Sequence, residues 1–202
     1  TYDVLRLVSD AVRYFNKDIL RNAVTRAFKT PKSGKVEGAS LQAVPRESVY
    51  VQAVPRESVY NAELYRIFIR WLVDSYDMEV TGQWHVVTES DPTDVTSKLG
   101  HEYFDIVIST NREIQSMIIL ELVASGVKTE LEKHFEKALI YGSRFDNVEI
   151  WVIHFTCLDD AIAKPIWQSN EELRKGLNVA HFWHDLSFKQ MTICARWLEE
   201  GR

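Results

Sequence analysis

Hydrophobic residues near the start of the chain recur every three or four positions. This spacing, with basic residues in between, is that of one face of an α-helix and predicts one or two amphipathic helices over 3–29. The next stretch, 30–40, combines Pro, Gly, Ser and Lys without periodicity and indicates a linker. We therefore assign 1–40 to a helical extension with a linker. The predicted helical face comprises Leu5, Val8, Val12, Phe15, Ile19, Ala23 and Ala27.

A perfect tandem repeat follows the linker. The segment QAVPRESVY occupies 42–50 and again 52–60, with Val51 between the copies. Two copies with a period of ten are too short for a repeat-protein architecture. A local duplication, natural or artificial, explains the pattern better, so we set 41–60 apart from the main domain, which we expect to span 60–202.

The main domain begins with a helical pattern and continues with segments rich in β-branched and aromatic residues. The first pattern predicts a helix, the next three segments predict strands, and a second helix ending beside Gly142 precedes a buried strand. This order predicts an α/β fold with a mixed sheet. The elements are expected at 60–76, 78–87, 103–109, 116–125, 128–143 and 148–155.

Three further elements are expected before the end of the chain. The segment SNEELRKG predicts a short helix with Ser169 or Asn170 as its N-cap and Gly176 as its stop. LNVAHFWH is typical of a strand. Residues 191–197 alternate between apolar and more polar positions, which predicts a final strand.

Composition indicates one folded domain without a membrane segment. The chain has 202 residues, of which 46% are hydrophobic, and it contains no run of about 20 apolar residues. Cys157 and Cys194 lie in apolar runs, so we predict buried thiols rather than a disulfide or a zinc site. Because the chain starts with Thr and lacks a leader pattern, we expect a fragment of a longer protein.

The charge is unevenly distributed. Residues 1–40 carry eight Lys and Arg against four Asp and Glu, whereas 41–202 carry sixteen against twenty-five. The net charge of -5 argues against a broad electrostatic grip on nucleic acid, because phosphate binding depends on clustered cations. Any basic binding surface is therefore expected to be local.

Two acids lie inside apolar strands. Alternation along a strand places Glu121 on the same face as Ile119 and Val123. Asp105 lies in the preceding predicted strand, which the NREIQ turn joins to that of Glu121, so the two carboxylates are expected to converge. Such a pair suits Mg²⁺ and phosphodiester hydrolysis. The alternative is structural, with Asp105 capping a strand end and Glu121 paired with an Arg.

The order of elements over 60–155 resembles the PD-(D/E)XK nuclease superfamily, whose restriction-endonuclease-like core has the order αβββαβ. The resemblance implies Mg²⁺ or Mn²⁺ bound by Asp105 and Glu121, with Glu63 of the first core helix assisting. Two positions depart from the family signature. Phe104 stands where it has Pro, and Val123 stands where it has the catalytic Lys.

Lys137 is our candidate for the missing cation. His134, Lys137 and Tyr141 share one face of the second helix and would reach the site together. The alternative is a solvated helix face, and Glu63 has a similar alternative as an ion pair with Arg66 or Arg70.

Three other histidines are predicted to be core or strand-end residues. They lie in or beside predicted strands, where their spacing does not suit a metal pair, because alternation would place two of them on opposite faces. These residues are His154, His181 and His184.

A second resemblance covers roughly 52–197. The segments VPRESVYNAELYRIF, VTGQWH, IILELVAS, EIWVIHFTC, PIWQS, LNVAHFWHD and ICARW, in this order, look like the C-terminal domain of fungal Crinkler-type secreted effectors. The resemblance implies a nuclease-like domain that is secreted by a microbe and acts in the host cell nucleus. The family has one copy of AVPRESVY where this chain has two.

Two functions are therefore expected from the sequence. The first is a nuclease-like effector domain that binds nucleic acid, most simply DNA, and hydrolyses phosphodiesters with Mg²⁺. The second is an inactive pseudo-nuclease that serves as a protein-interaction or dimerisation module, with a host nuclear protein or a second copy as partner. The absence of Lys at position 123 and the acidic charge favour the second function, whereas the order of elements favours the first.

Overall fold

The computed structural model of the protein describes residues 3–25, 55–76, 78–86, 102–110, 116–124 and 128–198. The linker 30–40, the first copy of the repeat, the acidic loop 89–100 and the NREIQ turn lie outside these residues. The described part is an α/β fold with a six-stranded mixed sheet, as the sequence predicts.

The strands follow one another in the sheet in chain order. β3 is parallel to β4, and β4 is parallel to β5. The other three pairings are antiparallel. No helix in the described ranges is long and apolar enough to cross a membrane. The strands are β1 Met78–Val86, β2 Glu102–Thr110, β3 Met117–Val123, β4 Val148–Thr156, β5 Leu177–His184 and β6 Met191–Arg196.

Helices precede the sheet and connect its parallel strands. A π-helical turn, Ile69–Val73, continues the third helix, and a short helix that the sequence did not predict follows β4. The short helix before β5 has Ser169 as its N-cap, in a capping box with Glu172. Ser169 was one of the two residues predicted for this position. The α-helices are α1 Val4–Arg13, α2 Lys17–Thr25, α3 Glu57–Phe68, α4 Asp74–Tyr76, α5 Lys128–Gly142, α6 Asp160–Ala163 and α7 Asn170–Arg174.

The sheet separates two layers of helices. On β3, Leu120 and Leu122 join the core formed with α1, α2 and α3, whereas Val123 packs with α5. Ile119 also lies on the α5 side, in a small cluster with Tyr141. The predicted alternation along β3 is therefore confirmed, and Glu121 belongs to the face that α5 covers.

The N-terminal extension forms two helices, but the predicted apolar face of α2 is wrong. Ile19 is 47% exposed, and Leu20 is buried instead. The reason is a break between the helices, where the Asn16 side chain accepts hydrogen bonds from the backbone N–H groups of Asp18 and Ile19. This cap starts a new helix, so the periodicity counted from Leu5 does not continue across it.

Candidate functional site

β2 and β3 separate where the two acids lie. Their paired residues run from Ser109 opposite Met117 to Ile106 opposite Leu120. Both strands continue past this last pair without pairing, and we call the opening between them the fork. The Asp105 side chain bridges it. Asp105 Oδ2 accepts a hydrogen bond of 2.7 Å from the Leu122 N–H. The Asp105 carboxylate thus occupies the place of a backbone acceptor at the mouth of the fork.

A second contact fixes the other oxygen of Asp105. Asn61 Nδ2 of α3 donates to Asp105 Oδ1 at 3.2 Å. Asn61 lies one helical turn after Glu57, so both side chains emerge from the same side of α3. The start of α3 therefore meets the open end of the fork.

Glu121 is fully buried and contacts two basic side chains of α5. Its Oε1 atom lies 2.5 Å from Lys137 Nζ and 2.7 Å from His134 Nδ1. Glu121 Oε2 is also buried and has no hydrogen-bond partner within the described part of the chain. A buried carboxylate oxygen without a partner is costly, so this atom is available for a ligand.

Tyr141, the third member of the predicted helix face, lies elsewhere. It packs edge-on against Phe104, with ring centroids 5.6 Å apart. Of the three residues on the predicted helix face, His134 and Lys137 therefore contact the β3 acid. Val123 is buried against the same helix, so its side chain adds only apolar packing.

The acid that α3 brings to this site is Glu57, which was not among the predicted site residues. It is partly buried, and the Ala124 N–H at the end of β3 donates to it. Helical spacing alone placed the start of this helix at 60, but α3 begins three residues earlier, inside the second copy of the repeat. An acid in the first turn of a helix is a common stabilising feature and was the signal that could have identified Glu57.

Glu63 makes different contacts. Its Oε2 atom accepts from the Asn16 N–H at 2.6 Å and from Arg66 at 2.9 Å, and the residue is 3% exposed. Burial acts to raise the pKa of Glu63, but the hydrogen bonds from Arg66 and Asn16 outweigh it and lower the pKa. The geometry therefore ties Glu63 to the helical extension, and does not bring it to Asp105 and Glu121 as the sequence predicted.

The surroundings of the site raise the pKa values of Asp105, Glu57 and His134. Burial, followed by repulsion from Glu121 and Glu57, raises the pKa of Asp105 to about 7, against the lowering effect of the Leu122 N–H. Burial also raises the pKa of Glu57, with a smaller contribution from Glu121. The hydrogen bond to Glu121 is the main cause that raises the pKa of His134. Three acids and two basic residues thus act as one electrostatic group.

The donor set fits a hard cation. Asp105 and Glu121 offer carboxylate oxygens, and Glu121 Oε2 is buried without a partner among the described residues. Mg²⁺ commonly uses one or two carboxylates and completes its shell with water and substrate phosphate. Within the described ranges, no three His, Cys, Asp or Glu residues are arranged as a complete metal-binding group. Any Mg²⁺ here would therefore depend on two protein ligands and on water.

His154, His181 and His184 lie in the core or at strand ends, as predicted. His154 and His181 share a hydrogen bond of 2.8 Å between their Nδ1 atoms, and burial lowers the pKa of His181 to about 4. Tyr60 of α3 contacts His184 Nε2 at 2.6 Å.

The two cysteines differ in exposure. Cys157 is buried beside the His184 ring, as predicted. Cys194 of β6 is partly exposed, so the prediction that it is buried is wrong. The reason is its position on the last strand of the sheet, where no described element covers it.

Comparison of the chain with protein-family models, with curated proteins and with solved structures gives no match.

Proposed function

We propose that the part of the chain that begins with α3, 57–202, is a restriction-endonuclease-like domain of the PD-(D/E)XK type that binds nucleic acid, most simply DNA, and hydrolyses phosphodiesters with Mg²⁺ or Mn²⁺. The observation that carries the proposal is the contact of Lys137 Nζ with Glu121 Oε1 at 2.5 Å. It brings a Lys from α5 to the β3 acid, although Val123 occupies the usual position of that Lys. The order of α3, β1, β2, β3, α5 and β4 supports the same proposal.

The roles follow from the contacts. Asp105 and Glu121 would hold the metal ion, since Glu121 is near enough to raise the pKa of Asp105 and Glu121 Oε2 has no other described partner. When bound, Mg²⁺ supplies positive charge to a phosphate oxygen and makes a bound water more acidic. Lys137 and His134 add positive charge beside Glu121, where it would attract the phosphodiester.

Glu57 is suited to accept the proton of the attacking water. Its pKa is raised mainly by burial, and a carboxylate works best as a general base when its pKa is closer to neutral pH. In the proposed reaction, the water oxygen forms a bond to phosphorus while an ester P–O bond breaks. The leaving oxygen departs with the electron pair of that bond and takes up a proton.

The proposal is tested by incubating the whole chain with plasmid DNA, single-stranded DNA and RNA in the presence of Mg²⁺, Mn²⁺ or EDTA. We expect metal-dependent cleavage that Glu121→Gln lowers by at least about 100-fold, since it removes a ligand and the partner of Lys137. Glu136→Gln is the matched control, because Glu136 is an exposed residue of the same α5 helix. Cleavage that Glu121→Gln leaves unchanged would refute the assignment.

Comparison of Glu57→Gln with Glu63→Gln tests which acid of α3 serves the site. We expect the loss of cleavage for Glu57→Gln, because Glu63 is held by Asn16 and Arg66. If Glu63→Gln alone abolished cleavage in a folded protein, the sequence prediction would be right and the role given to Glu57 would be wrong.

A second candidate is a pseudo-nuclease that acts as an interaction module. The observation in its favour is that Lys137 and His134 already compensate the charge of Glu121 within the chain. Calorimetric titration with Mg²⁺ and DNA binding at several salt concentrations separate the candidates, because phosphate contacts weaken with salt. Flat responses in both assays, together with no cleavage, would support the interaction module.

The resemblance to Crinkler effectors supports a further proposal, that the protein is secreted and acts in the host cell nucleus, where a host nuclear protein is a candidate partner. Expression of the fluorescently tagged chain in host cells, followed by microscopy, tests this proposal. Exclusion of the tagged chain from the nucleus would contradict it.

A further inference from the structure

The outer edge of β6 is unpaired in the described part of the chain. β6 is the last strand of the sheet and pairs on one side with β5. Along its other side, no described strand continues the sheet. An edge strand of this kind presents backbone N–H and C=O groups that can pair with another chain.

The register with β5 shows which backbone groups point outward. The Asp185 N–H donates to the Gln190 carbonyl, so these two residues form a hydrogen-bonded pair. The same one-to-one pairing continues along both strands and places His181 opposite Cys194. In an antiparallel ladder, hydrogen-bonded pairs alternate with non-hydrogen-bonded pairs. The backbone groups of Thr192, Cys194 and Arg196 therefore face β5. The outward groups belong to the alternate residues, Met191, Ile193, Ala195 and Trp197.

The same alternate residues expose apolar side chains. Met191 is 36% exposed, Ile193 is 39% exposed and Trp197 is 43% exposed, and Leu198 follows at 52%. Natural edge strands are usually protected by charged side chains, Pro or a bulge. β6 contains no Pro, its one charged side chain, that of Arg196, is hydrogen-bonded within the chain, and its pairing with β5 continues without a bulge. Its outer edge thus combines backbone groups available for pairing with an apolar row.

We propose that a second copy of this chain pairs with the outer edge of β6, antiparallel and with Cys194 on the two-fold axis. This register pairs Met191 with the partner subunit's Trp197, and Ile193 with the partner subunit's Ala195. It also satisfies the outward backbone groups, since these pairs become the hydrogen-bonded ones. The six-stranded sheets of the two copies would form one continuous sheet.

Charge favours this register over the neighbouring one centred on Ile193. A two-fold axis through Ile193 would also keep the apolar rows on one face, but it would place Lys189 against Trp197. That arrangement sets a charged residue against an apolar one, so Cys194 is the favoured centre.

The interface is expected to be weak and concentration-dependent, because one strand pair buries less surface than a standard protein interface. Light scattering coupled to size-exclusion chromatography of the whole chain tests for a dimer over a range of concentrations. We expect the mean mass to rise toward twice that of the monomer. Ile193→Lys should return the chain to a monomer with an unchanged circular dichroism spectrum, since Ile193 is partly exposed.

Cys194 itself tests the register. Residues on the axis of an antiparallel pair have Cα atoms about 4.5 Å apart in a non-hydrogen-bonded position, which allows a disulfide. Mild oxidation should therefore give a disulfide-linked dimer, and Cys194→Ser should prevent it, because Cys157 is buried. The matched control moves the thiol, as Thr192→Cys in the Cys194→Ser chain. The two copies of this thiol would be about 13 Å apart and should not link.

Three results would overturn the proposal. The first is a protein that stays monomeric at every concentration and gives no disulfide-linked product. The second is a dimer that Ile193→Lys leaves intact. The third is a control chain, with its thiol moved to position 192, that forms a disulfide-linked dimer as fast as the parent does through Cys194. If β6 paired instead with a strand of another protein, or with another segment of this chain, the first result would be observed. The assays do not depend on cleavage, so they are independent of the proposed nuclease function.

Discussion

Asp105→Asn is expected to lower metal-dependent cleavage by at least about 100-fold and, at pH 8, to make the protein more stable. The first effect follows from the loss of the negative charge at a proposed metal ligand. The second follows from electrostatics, because a neutral amide removes the repulsion among Asp105, Glu121 and Glu57. An Asn can still accept the hydrogen bond from Leu122 N–H, so the fork is expected to keep its shape.

The pH dependence gives the sign of the stability effect. The pKa of Asp105 is about 7 in the folded protein, against an ordinary value of 3.8. The folded protein therefore binds the proton more tightly than the unfolded chain. The associated stabilisation is fully present below about pH 4 and is lost as the pH rises toward and through 7. Asp105→Asn removes this loss, which is expected to amount to roughly 1–3 kcal/mol at pH 8.

Urea unfolding of the parent and the variant between pH 4 and pH 8 measures this difference. The two curves should diverge as the pH rises. Asp146→Asn is the matched control, because Asp146 is exposed and lies outside the site. A constant difference across the pH range would contradict the raised pKa of Asp105, and unchanged cleavage would contradict its role as a ligand.

Lys137→Met is expected to lower the free energy of unfolding by about 3 kcal/mol at neutral pH. Glu121 is fully buried, and removing one partner from a buried ion pair leaves charge that is poorly compensated. His134 remains in contact with the same oxygen, which keeps the expected loss near the lower end of the usual range. Lys133→Met is the control, because Lys133 is an exposed residue of α5.

A double-mutant cycle with Glu121→Gln isolates the interaction. If the Glu121 charge is what Lys137 compensates, Lys137→Met should cost far less in the Glu121→Gln protein than in the parent. Chemical denaturation of the four proteins gives the coupling energy. Additive effects of the two substitutions would show that the 2.5 Å contact does not stabilise the fold.

Much of the fold could be predicted because each strand has its own strong apolar pattern. β5 spans the predicted LNVAHFWH, and Asp105 and Glu121 are recognisable because a carboxylate in an apolar strand needs compensation. The contact of Lys137 with Glu121 was predicted only as one of two alternatives, because periodicity gives the face of a helix and not what that face meets. Tertiary packing decided between the alternatives.

The sequence predictions missed the start of two helices. The Asn16 cap separates α1 from α2, so Leu20 is buried in place of Ile19. The start of α3 was placed at 60, at the end of the tandem repeat, so Glu57 was not among the predicted site residues. In both cases the helix itself was predicted correctly, but the residue at which it starts was not.

The hydrogen bond between Leu122 N–H and Asp105 gives the site a built-in spectroscopic reporter. An amide proton that donates to a carboxylate shifts in an NMR spectrum when that carboxylate gains a proton or binds a cation. The Leu122 resonance should therefore record the ionisation of Asp105 and the arrival of Mg²⁺ from within the backbone of β3. The charge state of the site is thus readable without any substrate.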